Sequence, residues 1–251
     1  MNSVLLGCEA CSFGYDGRPV LSCLDFFVEE GDRLCVVGEN GSGKSTLLKG
    51  LLSLVPPSGG RVIKNPCLTA GDIGYLPQET PLQKDFPATV FEVVLSGRQN
   101  RRGFAPFYTK ADRAAVEETL LMLGLGEMKQ SCFRELSGGQ RRRTLLARSL
   151  CAAGKILLLD EPASGLDPII QAGLYEVLKR INAELRITII MVSHDIEGVL
   201  RFTAEDKSAS VNRGGKVLHL AGKQLFFGSA ENYRESEAGK MFLGAHRHCE
   251  P

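Results

Sequence analysis

The chain has almost no net charge: at pH 7 it stands at +1, with 30 Lys and Arg against 29 Asp and Glu. Without a field of one sign, neither nucleic acid nor a bare anionic membrane surface is an expected partner. Nowhere does an apolar run approach the roughly 20 residues that a membrane-spanning helix needs. The opening Met1-Asn2-Ser3-Val4-Leu5-Leu6-Gly7 lacks both a basic start and a long apolar stretch, so no secretory leader is visible. The expectation is a cytoplasmic protein whose contact with membrane comes through a partner. Internal repeats, low-complexity segments and heptad arrays are missing as well. What is left is ordinary globular packing, with 43% hydrophobic and 24% charged residues. A length of 251 residues suits one large domain or a core with subdomains.

Cysteine is not scarce, but its pattern is. Eight cysteines are scattered, and in a chain without a leader they are expected as reduced, mostly apolar fillers. Cys8-Glu9-Ala10-Cys11 is half of a zinc pattern with no second half, and a three-residue step along a strand is expected to put the two thiols on opposite faces. The end, Gly244 to Pro251, is expected to fray. It carries His246-Arg247-His248-Cys249, good zinc ligand types with no fourth ligand in view.

The strongest positive feature is Gly38-Glu39-Asn40-Gly41-Ser42-Gly43-Lys44-Ser45-Thr46. It fits the phosphate-binding pattern G-x-x-x-x-G-K-[ST]. The apolar Leu34-Cys35-Val36-Val37 before it predicts a buried strand, and Thr46 to Leu52 after it predicts a helix ended by Pro56-Pro57. Glycines let the backbone wrap phosphates, and loop amides and the helix N-terminus aim positive dipole at them. Lys44 then reaches the outer phosphates, and the Ser45 hydroxyl serves Mg2+.

Residues 3–13 and 20–28 alternate as strands around an Asp16-Gly17-Arg18-Pro19 turn. Arg61 to Ile63 and Asp72 to Leu76 predict two short strands. The pattern is helical from about 88 to 153, with Thr109-Lys110-Ala111-Asp112 as a capping box and Val116, Leu120 and Leu123 on one face. Ile156 to Leu159 and Thr188 to Val192 are short, near-continuous apolar runs, as in a parallel sheet covered on both sides, with a helix around Leu174, Val177, Leu178 and Ile181 between them. Strand, helix, strand implies an α/β core. Thr203 to Gly215 predicts a polar loop before a strand at Lys216 to Leu220.

Carboxylates at the C-terminal ends of parallel strands face the ligand crevice. Asp160 there is placed to hold Mg2+, and Glu161 to polarise a water. His194 ends the second run at the same sheet edge, and Gln78 lies past another strand end, where an amide senses Mg2+ or the water. Leu136-Ser137-Gly138-Gly139-Gln140 opens a further helix with a second anion-receptive N-terminus. Arg141-Arg142-Arg143 follows it, a poor place for cations unless an anion binds nearby.

Taken in order, Gly38 to Thr46, Gln78, Leu136 to Gln140, Ile156 to Glu161, Ser164-Gly165-Leu166-Asp167 and His194 resemble the ATP-binding cassette ATPases, over about residues 3–200. The resemblance implies an α/β P-loop NTPase (RecA-like) core at about 1–82 and 154–228, carrying an antiparallel β subdomain. It also implies an α-helical subdomain inserted at about 83–153, with a tail at 229–251. It implies hydrolysis of ATP with Mg2+ held by Ser45, Gln78 and Asp160, and a homodimer in which Ser137, Gly138, Gly139 and Gln140 of one copy meet the ATP of the other. Tyr15 matches the aromatic that stacks on adenine, and Asp167 matches a dimer-contact loop. Partners implied are integral membrane permease subunits, docked on the region from Gln78 to about Tyr108, and indirectly an extracytoplasmic solute-binding protein. The location implied is the inner face of the cell membrane. The alternative for the apolar residues of that docking region is plain helical core.

Asp85 to Arg98 resembles the cassettes of zinc, manganese or iron importers, and siderophore and cobalamin importers carry a related stretch. Arg142-Arg143 stands where the family commonly has Gln-Arg. The rival readings are a cassette acting on nucleic acid or ribosomes and a split exporter; nucleic acid is not an expected partner.

Overall fold

A computed structural model describes residues 4–78, 87–101, 106–204 and 215–247. Outside them fall Asp85 and Phe86 of the importer-like stretch, most of the expected polar loop, and His248 and Cys249 of the tail.

Among the described residues, nine strands build two sheets. Strands β1 (Val4–Tyr15), β2 (Arg18–Glu29) and β4 (Gly59–Lys64) form an antiparallel sheet in the order β2-β1-β4. Asp16 and Gly17, both at positive φ, make the tight hairpin turn expected from their sequence. The second sheet runs β5 (Ile73–Leu76), β6 (Ile156–Asp160), β7 (Thr188–Val192), β3 (Arg33–Val37), β8 (Lys216–Leu220) and β9 (Gln224–Ser229). Its first five strands are parallel, and β9 returns antiparallel to β8. Every residue of β3, β6 and β7 is buried, which is why these strands read as unbroken apolar runs rather than alternating ones.

Helix α1 (Lys44–Leu51) follows β3. Helices α2 (Val90–Leu95), α3 (Lys110–Met122) and α4 (Gly138–Ala152) pack together through Val90, Val94, Val116, Leu120 and Leu146. The apolar residues of the expected docking region that are described here are therefore largely helical core. Thr109 and Asp112 form the predicted capping box. Helix α5 (Pro168–Leu185) connects β6 to β7, and α6 (Ile196–Thr203) follows β7. The result is a mixed α/β P-loop NTPase fold.

Three local expectations are corrected. Helix α1 stops well before Pro56. Ser53 adopts φ 60, and the Leu54 amide bonds back to the Lys49 carbonyl, a left-handed closure that ends the helix from within. Cys8 and Cys11 share one buried face, because Ala10 at φ 47 and a register shift insert a bulge between them. The C-terminal segment forms α7 (Ala230–Glu235) and α8 (Glu237–Arg247), so the chain is helical through Arg247 instead of frayed from Gly244. Phe242 and Tyr233 enter the core and dock that segment.

Candidate functional site

The C-terminal edge of the parallel sheet gathers the motifs into one cleft of about 1100 Å³. β3 delivers the glycine loop, β6 delivers Asp160 and Glu161, β7 leads to His194, and β5 leads to Gln78.

In the loop, Gly38, Gly41 and Gly43 all have positive φ. At Gly38 a β-carbon would collide with the Leu220 carbonyl as well, so glycine is required twice over. The Lys44 ammonium folds back along the loop and donates to the carbonyls of Gly38 (2.8 Å) and Glu39 (2.7 Å). Burial lowers its pKa, opposed by the Glu161 and Asp160 carboxylates. The Ser42 hydroxyl is buried with no hydrogen-bond partner, a costly arrangement unless a ligand oxygen meets it. An unpartnered hydroxyl, a buried ammonium and a ring of loop amides together fit a polyphosphate.

Asp160 is buried, which pushes its carboxyl upward, while a hydrogen bond from the Ser45 hydroxyl pulls it back. A hydroxyl and a carboxylate in contact beside a phosphate site are the oxygen donor set that suits Mg2+. Glu161 takes φ 49, the left-handed region that costs a side-chain-bearing residue about 1 to 3 kcal/mol. The turn aims its carboxylate between two partners. The Gln78 amide donates to Oε2 at 3.3 Å, and His194 Nδ1 lies 3.5 Å from Oε1. Asp195 caps α6 by accepting from the Gly198 amide and receives the Tyr175 hydroxyl at 3.0 Å, which fixes the base of the His194 segment.

The remaining candidates lie apart from this cluster. Tyr15 sits at the tip of β1, partly exposed and outside the residues that line the cleft. Ser137 caps α4: its hydroxyl accepts from the Gln140 amide, and the Gln140 side chain accepts from the Ser137 amide. Gly138 has open space around it. Asp167 caps α5 through the Ile169 amide at 2.9 Å.

Two contributions escaped the sequence. Arg142, in a run that the sequence marks as needing a nearby anion, is instead buried and donates to backbone carbonyls at the ends of β5 and β6. Helix α8 brings Ala238, Met241 and Phe242 to the rim of the cleft. The one signal for α8 was its spacing of Phe242 and Met241 against Ala238, hidden in a segment read as tail.

A family model described as ABC transporter matches residues 21–164, and an AAA domain model matches the shorter 130–200. The zinc import ATP-binding protein ZnuC of Ruegeria pomeroyi is 34% identical over 212 residues, 84% of this chain and 77% of its own. The manganese transport system ATP-binding protein MntB of Bacillus subtilis is 34% identical over 221 residues, 87% and 84% respectively. Among solved structures, a chain assigned to a metal-chelate type ABC transporter in an inward-facing conformation matches with a TM-score of 0.80 and 28% identity, covering 98% of this chain and 90% of that one. The cbiO1 protein of Clostridium perfringens, part of the complex cbiONQ, matches with a TM-score of 0.79 and 25% identity, covering 98% and 96%. The family match spans more than half of the chain and includes both the glycine loop and Glu161: the chain belongs to the ABC transporter family, as one of its ATP-hydrolysing cassettes.

Proposed function

We propose that the chain powers a membrane importer for a divalent metal ion, zinc, manganese or iron, by hydrolysing ATP between two copies of itself. The observation that carries the catalytic part is the Glu161 carboxylate, held between Gln78 and His194 in the cleft that Lys44 and the glycine loop close. The metal part is supported by the relatives named for zinc import and manganese transport.

In this reading Gly38, Glu39, Asn40, Gly41, Ser42, Gly43, Lys44, Ser45 and Thr46 hold the nucleotide phosphates, and Tyr15 contacts the base. Ser45 and Asp160, with Gln78, hold Mg2+, which when bound neutralises phosphate charge and fixes the phosphate geometry. Glu161 accepts a proton from the attacking water, Gln78 orients the carboxylate, and His194 contacts the outer phosphate and keeps the water in line. Ser137, Gly138, Gly139 and Gln140 contribute from the second copy, with Asp167 at the contact between copies. ATP binds the closed pair better than the open one, and that difference drives the permease between its two faces. The chain sits on the cytoplasmic face of the membrane through those permease subunits. No helix among the described residues is long and apolar enough to cross a membrane. An extracytoplasmic solute-binding protein delivers the ion.

The structural likeness to a metal-chelate type transporter favours one second reading, import of a chelated metal such as a siderophore or cobalamin. Uptake of zinc, manganese and iron, each supplied as the free ion and as its chelate, with and without the chain, separates the two. A drop in one free ion supports the first reading. Unchanged ions with failed chelate uptake contradict it in favour of the second.

A further inference from the structure

We propose that Arg142 is the positioning residue for Glu161, and that it ties the aim of that carboxylate to the helix bearing Ser137, Gly138 and Gly139. The inference rests on Glu161 being the group that activates water.

Arg142 lies one turn into α4 and is 4% exposed. Its guanidinium donates to three successive carbonyls of one segment: Nη2 to Asp160 (3.1 Å) and Glu161 (2.6 Å), and Nε to Pro162 (2.9 Å). Nη1 also reaches the carbonyl of Pro77, the residue before Gln78, at 3.5 Å. One planar group with five donors thus binds the turn that carries Glu161 and the strand end that carries its hydrogen-bond partner. An ammonium or an amide has too few donors, or the wrong fork, to hold all four.

The turn needs holding. Glu161 is in the left-handed region at φ 49, a conformation that persists only where surroundings over-determine it. Its amide donates to the Val192 carbonyl at 3.0 Å, and its carbonyl also accepts from the Ser164 amide at 3.2 Å. The Arg142 contact is the shortest of the three. Released from it, the peptide between Glu161 and Pro162 is free to relax toward an ordinary φ, which swings the carboxylate away from Gln78 and His194. Because Arg142 and the Ser137-Gly138-Gly139 tip share one rigid helix, a rotation of α4 against the sheet pulls on the same carbonyls. Whatever seats that helix tip therefore also sets Glu161.

The test compares Arg142→Lys, Arg142→Gln and Arg142→Ala in the full-length purified chain, with Glu161→Gln in parallel. Turnover, KM for MgATP, nucleotide affinity and melting temperature are measured for each. The expected result is a kcat lowered at least about tenfold in Arg142→Ala, with affinity kept within about twofold. Arg142→Gln, which retains two donors, should fall between Ala and the parent. Added methylguanidine should restore part of the rate in Arg142→Ala and none in Glu161→Gln. Should Arg142→Ala fail to fold, the Lys and Gln variants carry the same comparison. A kcat within about twofold of the parent in every folded variant overturns the inference. So does a parallel loss of rate and affinity without rescue, which marks a merely structural arginine. Parental turnover in Glu161→Gln would instead defeat the underlying reading of Glu161, whatever Arg142 does.

Discussion

Two helix N-termini in this molecule carry glycine and serine at the cap or in the turns beside it, and they are built in opposite ways. At α1 the loop closes on itself. Gly43 occupies the cap position without a side-chain cap, Lys44 is buried against two loop carbonyls, and Ser42 keeps a buried hydroxyl in reserve. At α4 the end is already satisfied by its own capping box, the tip is exposed, and Gly138 has open space around it. Both ends carry positive dipole. The first is a pocket that needs a ligand to satisfy it; the second is a finished surface that offers a dipole and small residues to something approaching from outside. That asymmetry is what the proposed division of the site between two copies requires of each half.

The largest effect should come from the closed half. Glu161→Gln is expected to cut steady-state hydrolysis by at least about a hundredfold while nucleotide still binds, as loss of a general base does. Phosphate release and fluorescent-nucleotide titration on the same samples check it. Lys44→Ala should act on binding itself and weaken ATP affinity by at least about tenfold, or 1.4 kcal/mol. If Lys44→Ala spared affinity, the α1 loop would lose its claim to be the primary phosphate site.

The open half should give smaller changes in the isolated chain. Ser137→Ala removes a cap that serves the fold, and urea titration should register a loss of about 1 kcal/mol. No equivalent cost exists at α1, where no side chain caps.

A gentler probe lies beside the closed half. His219, on β8, is buried against the Tyr233 hydroxyl (3.1 Å) and the Phe242 ring, and desolvation lowers its pKa from 6.5, with Glu39 opposing. A lowered histidine pKa means the unfolded chain takes the proton first. Its stabilising contribution is therefore complete above 6.5 and is lost as pH falls from there toward the lowered folded value. The melting temperature should hold above about pH 6.5 and decline as pH falls below it, and decline less in His219→Phe. Asp112 separates cleanly from this, because the Thr109 hydroxyl and amide hold it at about 2, far below the histidine window.

Much of this was legible in the chain because its signals are local. A glycine loop between an apolar run and a helix, and acids ending buried runs, need only a few consecutive residues to declare themselves. What stayed hidden depended on a single dihedral or on distant partners. A run of three arginines does not say that the middle one turns inward to the ends of two strands. Ala10 at φ 47 moved Cys11 onto the face of Cys8, and Ser53 at φ 60 ended α1, yet neither residue type announces a positive φ. Helix α8 became visible only once Tyr233 and His219 gave Phe242 somewhere to pack.

The proposed division of the site between two copies is tested most directly by light scattering on the Glu161→Gln chain with MgATP, alone and with Gly138→Asp added. An aspartate at that exposed tip should leave each copy folded and ATP affinity unchanged, yet put a negative charge against the other copy's phosphates. The account predicts a particle of two chains for Glu161→Gln and of one chain for the double variant. Two-chain particles in both, or one-chain particles in both with ATP bound, would contradict it.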